Sequence, residues 1–122
     1  MAVLICDGCR QDAKLLSEVE QDICRYIEQN KDENYDDVLA MESRWEVFYH
    51  LSEMRTSILN WYDFGENASI LEVGAEFGAI TGMLCRNAKN VSVTESVFQK
   101  AEAIQKRYHH LKNLTVYADE IE

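Results

Sequence analysis

Residues 69–81 read SILEVGAEFGAIT: a short apolar run closing on a carboxylate, two glycines four residues apart, then a stretch able to open a helix. This order commits the chain to a strand, a sharp turn and a helix, because Gly74 and Gly78 allow the positive φ that such a turn needs. Backbone amides are then expected to be left free at the turn, facing a ligand. A second run, VSVTE, closes on Glu95, where the next strand of a parallel βαβ unit would end. Carboxylates only accept hydrogen bonds, so Glu95 at that place suits a pair of ribose hydroxyls. The combination points to a nucleoside-bearing ligand.

The glycine spacing discriminates among such ligands. A dinucleotide fingerprint G-x-G-x-x-G starting at Gly74 would need glycines where Glu76 and Ala79 stand. A phosphate-cradling loop would need Gly-Lys-Ser/Thr after the second glycine, where the chain has Gly78-Ala79-Ile80. The pattern that remains, E-x-G-x-x-x-G-x-x-T followed by a strand ending in Glu, resembles the first two motifs of the class I S-adenosylmethionine-dependent methyltransferases. The resemblance runs from about Ile70 to Asp119.

The resemblance implies S-adenosylmethionine as cofactor and gives each residue a role. Glu72 would hold the methionine ammonium directly or through water, and Gly74 and Gly78 would let the backbone lie against the cofactor. Glu95 would take both ribose hydroxyls. Asp119, two residues after the apolar segment 114–117, would lie near the adenine amino group. The family usually has a third glycine where this chain has Glu76. A non-glycine residue held at positive φ there costs about 1–2 kcal/mol, and its side chain would approach the cofactor.

A complete fold of that family needs about seven strands, and the 122 residues show three. The chain therefore reads as the cofactor-binding, truncated portion of a methyltransferase, inactive alone, with unknown catalytic residues and an unknown methyl acceptor. With no proline in the sequence, an Asn/Asp-Pro-Pro-Tyr type of catalytic motif is absent. The competing reading is a non-catalytic interaction or assembly module, because an incomplete sheet has an open edge that invites pairing with another chain or a second copy.

The division expected is 1–66 as an N-terminal α-helical segment and 67–122 as a partial Rossmann-like α/β domain, a three-layer half domain on a parallel sheet of about three strands. In the first part, 12–30 carries Leu15, Leu16, Val19, Ile23 and Ile27 at helical spacing. KDENYDD then reads as a loop. A second helix is expected over 38–49 with Met41, Trp45, Phe48 and Tyr49 on one face, and a third over 52–62, capped by Ser52. Trp61, Tyr62 and Phe64 extend the aromatic set, read mostly as helix packing, with Tyr49 a candidate to line the crevice. Beyond residue 67 the period gives strand 69–73, helix 79–86, strand 91–95, helix 97–108 with a Ser96/Gln99 capping box, and strand 114–117.

Charge restricts the partners. Residues 1–68 hold 15 acids against 6 bases and the whole chain is −10, which argues against a phosphate-tracking nucleic-acid surface. No apolar run approaches a membrane span and MAVLIC is too short for a signal peptide, so a cytoplasmic protein without membrane attachment is expected. Cys6-x-x-Cys9 lacks a second such pair, so it reads as two unpaired cysteines and no metal site is expected. Cys24 and Cys85 read as small apolar fillers, and His109-His110 as a helix end.

Overall fold

A computed structural model describes residues 1–6, 16–59 and 61–118. Asp119 and Cys9 lie outside the described residues. Four strands, β1 (Val3–Ile5), β2 (Ser69–Val73), β3 (Asn90–Thr94) and β4 (Leu114–Tyr117), form one parallel sheet in the order β1-β4-β3-β2. The three expected strands all form. The additional one is β1, which sets Val3 beside Thr115 and Ile5 beside Tyr117. Three residues are too few to show a period, so its place is decided by the hydrogen bonds that the β4 edge offers.

The crossover helices α4 (Thr81–Asn87) and α5 (Phe98–Arg107) lie on the same face of the sheet. Register directs Ile70 and Glu72 of β2, Val91 and Val93 of β3, and Leu114 and Val116 of β4 to that face. There Val91, Val93, Leu114 and Val116 pack against Met83, Leu84, Ala101 and Ile104. Fully burying such side chains stabilises by about 1.5–3 kcal/mol each. The opposite face carries Val3, Leu71 and Val73, which are 50%, 57% and 61% exposed. Among the described residues the half domain therefore has two layers, not the three expected, because both crossovers step across the sheet in the same direction.

The N-terminal helices make a second core. Helix α1 (Glu18–Gln29) opens with a capping box in which Ser17 Oγ accepts the Glu20 N–H at 3.2 Å and Glu20 Oε1 accepts the Ser17 N–H at 3.1 Å. Its Ile23 and Ile27 pack with Val47 and Leu51 of α3 (Trp45–Leu51), Ala103 of α5, and Phe77 from the glycine turn. The Lys100 ammonium on α5 meets Glu20 at 2.7 Å and clips α1 to α5. No helix among the described residues is long and apolar enough to cross a membrane.

Three local expectations are corrected. The helix expected over 38–49 is two, α2 (Asp36–Met41) and α3, separated by extended backbone at Glu42 and Arg44. Arg44 donates to both Glu42 oxygens at 2.8 and 2.9 Å and also pairs with Asp22, and this side-chain network holds the corner. Among its described residues, the segment expected to be helical over 52–62 forms a 3₁₀ turn, Met54–Ile58. Thr56 and Ser57 hydroxyls there donate back to the Glu53 and Met54 carbonyls, a competitor of regular helix. The aromatic set is largely surface: Trp45 and Trp61 are 59% and 78% exposed, while Val47 and Leu51 form the buried stripe of α3.

Candidate cofactor site

The carboxyl ends of β2 and β3 bring Glu72, Gly74, Gly78 and Glu95 together, as expected of neighbouring parallel strands in register. Glu72 is on the covered face, where its Oε1 accepts the Thr81 hydroxyl at 2.6 Å. Burial raises its pKa above the ordinary carboxylate value, partly countered by that hydrogen bond. Thr81 is fully buried in the first turn of α4, so the helix that follows the glycines fixes the carboxylate that precedes them.

Both glycines have positive φ, +67° at Gly74 and +75° at Gly78. They differ in surroundings. A Cβ at Gly78 would come within 3.1–3.3 Å of Thr81 Oγ1, Tyr108 and Ile104, whereas one at Gly74 would meet nothing within 4 Å. Gly78 is thus required by packing, and Gly74 borders open space at the strand end. Glu76, where the family pattern has glycine, also lies at positive φ, +55°. Its carboxylate stands 3.9 Å from both Lys100 Nζ and His50 Nε2.

Four amides at the turn are engaged, where free ones were expected. Gly74 and Ala75 N–H groups donate to the Thr94 carbonyl at 2.9 and 3.4 Å, Glu76 N–H to Glu95 Oε1 at 2.9 Å, and Gly78 N–H to the Ala75 carbonyl at 2.9 Å. A buried amide without a partner is costly, which favours these bonds. Glu95, 5% exposed, also accepts the Val97 N–H on Oε2 at 2.8 Å. That bond stands where the Ser96/Gln99 capping box was expected; the N-cap of α5 is Val97, without a side-chain cap.

Residues from far along the chain hold the turn from behind. Tyr108 Oη donates to the Gly78 carbonyl at 2.6 Å, and Arg107 Nη1 donates to the carbonyls of Phe77 at 3.0 Å and His50 at 2.8 Å. His50 stacks edge-on to Phe77, and burial lowers its pKa, so its ring is held toward the neutral form. These partners are thirty or so residues from the motif and carry no local signal, being an ordinary helix end in the sequence. Cys6 is disulfide-bonded, which corrects its reading as an unpaired thiol: it follows β1 directly, and its position is fixed by the sheet.

A solved structure shares this fold. The phosphoethanolamine N-methyltransferase 1 of Haemonchus contortus, in complex with phosphoethanolamine and S-adenosylhomocysteine, superposes with a TM-score of 0.55 at 19% identity over 88% of this chain. The chain has a class I methyltransferase-like fold. It spans 22% of the length of the Haemonchus protein. A SAM-dependent methyltransferase of Leishmania major is similar at 17% identity and a TM-score of 0.44, over 80% of this chain and 38% of its own. No family model matches the sequence, and no curated protein matches it.

Proposed function

We propose that this chain is the cofactor-binding portion of an S-adenosylmethionine-dependent methyltransferase acting in the cytoplasm, with residues 67–122 as the cofactor-binding part. The observation that carries the reading is the meeting of Glu72, Gly74 and Glu95 at the carboxyl ends of two adjacent parallel strands, beside space that a Cβ at Gly74 would leave unfilled. An ionised carboxylate has about four acceptor positions. Two of those on Glu95 are used by the Glu76 and Val97 amides, which leaves one on each oxygen for the two ribose hydroxyls. Glu72, held by Thr81 through one oxygen, keeps the other for the methionine ammonium. Asp119 is assigned to the adenine amino group. Bound in this way, S-adenosylmethionine supplies an electrophilic methyl to an O, N or C nucleophile by in-line displacement, with S-adenosylhomocysteine as leaving group. The chain's own part in that chemistry is positioning.

Calorimetric titration with S-adenosylmethionine, S-adenosylhomocysteine and NADH tests this reading. Saturable binding of the two sulfur nucleosides and not of NADH, lost in a folded Glu95→Ala variant, is expected; no binding of either sulfur nucleoside overturns it. A second reading, a non-catalytic assembly module that pairs with a second copy, is favoured by the uncovered sheet face with Leu71 and Val73 and by the free edge of β2. Dimerisation in sedimentation experiments together with failure to bind either sulfur nucleoside is its expected signature.

A further inference from the structure

Arg55 stands in the 3₁₀ turn Met54–Ile58 and is partly buried. Its guanidinium lies 4.2 Å from the centre of the Tyr49 ring, and among the described residues no hydrogen bond or ion pair engages it. Stacking uses the face of this planar group and leaves its N–H donors, which point outward in the plane.

Two sets of contacts place Arg55 at the candidate cofactor site. On one side the Tyr49 ring is 5.1 Å from that of His50, which in turn lies 5.0 Å from Phe77 and 3.9 Å from the Glu76 carboxylate, both in the glycine turn. On the other, Thr56 shares the wall of one hollow with Ala79 and Met83, which flank Thr81 in the sequence. Thr81 is the residue that holds Glu72. The Arg55 charge reaches Glu72: burial raises the pKa of that carboxyl, and the Thr81 hydrogen bond and then Arg55 oppose the rise. Glu72 and Arg55 nonetheless make no ion pair with each other; Thr81 holds the one and Tyr49 the other. Of the other acids nearby, Glu76 has Lys100 at 3.9 Å, and Glu53 is exposed to screening solvent.

We propose that Glu72 and Arg55 together clamp an α-amino-acid head group, Glu72 taking the ammonium and Arg55 the carboxylate through a bidentate hydrogen bond. An anion and a cation held apart beside the open space at Gly74 match a ligand that carries both charges on one carbon. Each is fixed by its own neighbour before the ligand arrives, so little ordering is left for binding to pay. The proposal rests on the methyltransferase reading and adds to it the residue that takes the methionine carboxylate of S-adenosylmethionine. It also gives the N-terminal helical segment a part in binding, since Arg55 and its platform Tyr49 both belong to that segment.

Calorimetric titration of the full chain with S-adenosylhomocysteine and with methylthioadenosine tests it, because the second ligand keeps the nucleoside and the thioether and lacks the amino-acid head. Arg55→Met, which keeps an apolar stem over Tyr49, is expected to bind S-adenosylhomocysteine roughly ten- to a hundredfold more weakly and methylthioadenosine as the parent does. Arg55→Lys restores the charge without the fork and recovers part of the loss. Undiminished methylthioadenosine binding shows that the site is folded in both variants. Equal affinity of the parent and Arg55→Met for S-adenosylhomocysteine overturns the clamp and leaves the methyltransferase reading standing. An equal loss for both ligands does the same, since Arg55 then acts on the fold and not on the head group. Binding of neither ligand by the parent overturns the methyltransferase reading and the clamp together.

Discussion

The Glu95 carboxylate reaches back 19 residues to accept the N–H of Glu76 at 2.9 Å, while its other oxygen takes the Val97 N–H at 2.8 Å. One buried side chain thus ties the glycine turn to the start of α5. The two amides need the same acceptor whether or not a ligand is present, so Glu95 has a structural role apart from its proposed one. Glu95→Ala strands two donors, each costing about 1–3 kcal/mol. A loss of about 2–6 kcal/mol is expected in urea denaturation, with Glu95→Gln losing about half of that because one oxygen remains. Equal stability of Glu95→Ala and the parent would dismiss the tie.

Glu76 tests the other end of the same bond. Its φ of +55° is a conformation that costs a non-glycine residue about 1–2 kcal/mol. Its ion pair with Lys100, at 3.9 Å and with the carboxylate 47% exposed, returns at most about 1 kcal/mol, and the His50 ring at 3.9 Å is held toward the neutral form. Glu76→Gly keeps the N–H that Glu95 accepts. The expected result is stability unchanged or raised by up to about 1 kcal/mol, and tighter binding of S-adenosylmethionine where the side chain no longer stands beside the turn. A clear fall in the urea midpoint would show that the contacts of the Glu76 side chain outweigh the backbone strain.

The glycine motif was readable because each part of it is local: a β-prone run, residues that tolerate positive φ, and an acid at the next strand end. What holds the motif in place was not. Arg107 and Tyr108 grip Phe77 and Gly78 from thirty residues away, and a sequence carries no sign of such a pairing when each partner is also a normal helix terminus. The strand β1 escaped for a related reason, since three residues show no period and the edge of β4 decides where they go. The split between α2 and α3 depends on Glu42, Arg44 and Asp22 meeting across two helices, which outweighs a continuous helical pattern. Burial on one sheet face only follows from the direction of both crossovers, a property of topology and not of any single residue.

Gly82 is required by packing. A Cβ there would stand 2.7 Å from Tyr108 Cε1, on a ring already fixed by its 2.6 Å hydrogen bond to the Gly78 carbonyl. Overpacking of this kind costs about 1–3 kcal/mol, more than the 0.5–1 kcal/mol that alanine gains over glycine within a helix. Gly82→Ala is therefore destabilising on balance. In a Tyr108→Leu background the same substitution costs much less, because the ring it strikes is gone, and a double-mutant cycle by thermal melting reads this coupling. Additive effects would show that the ring moves aside freely.

The clip between α1 and α5 sets an acid limit on stability. Glu20 has its pKa lowered to about 2, first by its hydrogen bond with Lys100 and then by the Ser17 N–H, against an unfolded value near 4.5. A carboxyl that holds its proton less tightly when folded contributes stability that is fully present above the unfolded value. That contribution fades as pH falls from about 4.5 and is gone below about 2. Lys100→Met removes the larger cause while leaving the Ser17 capping box. The parent and Lys100→Met should then differ most in urea midpoint at pH 6–7 and converge as pH approaches 2. A difference that stays constant over this range would mean that Lys100 acts through its packing over the Phe77 ring, whose centre lies 5.5 Å from its ammonium, and not through Glu20.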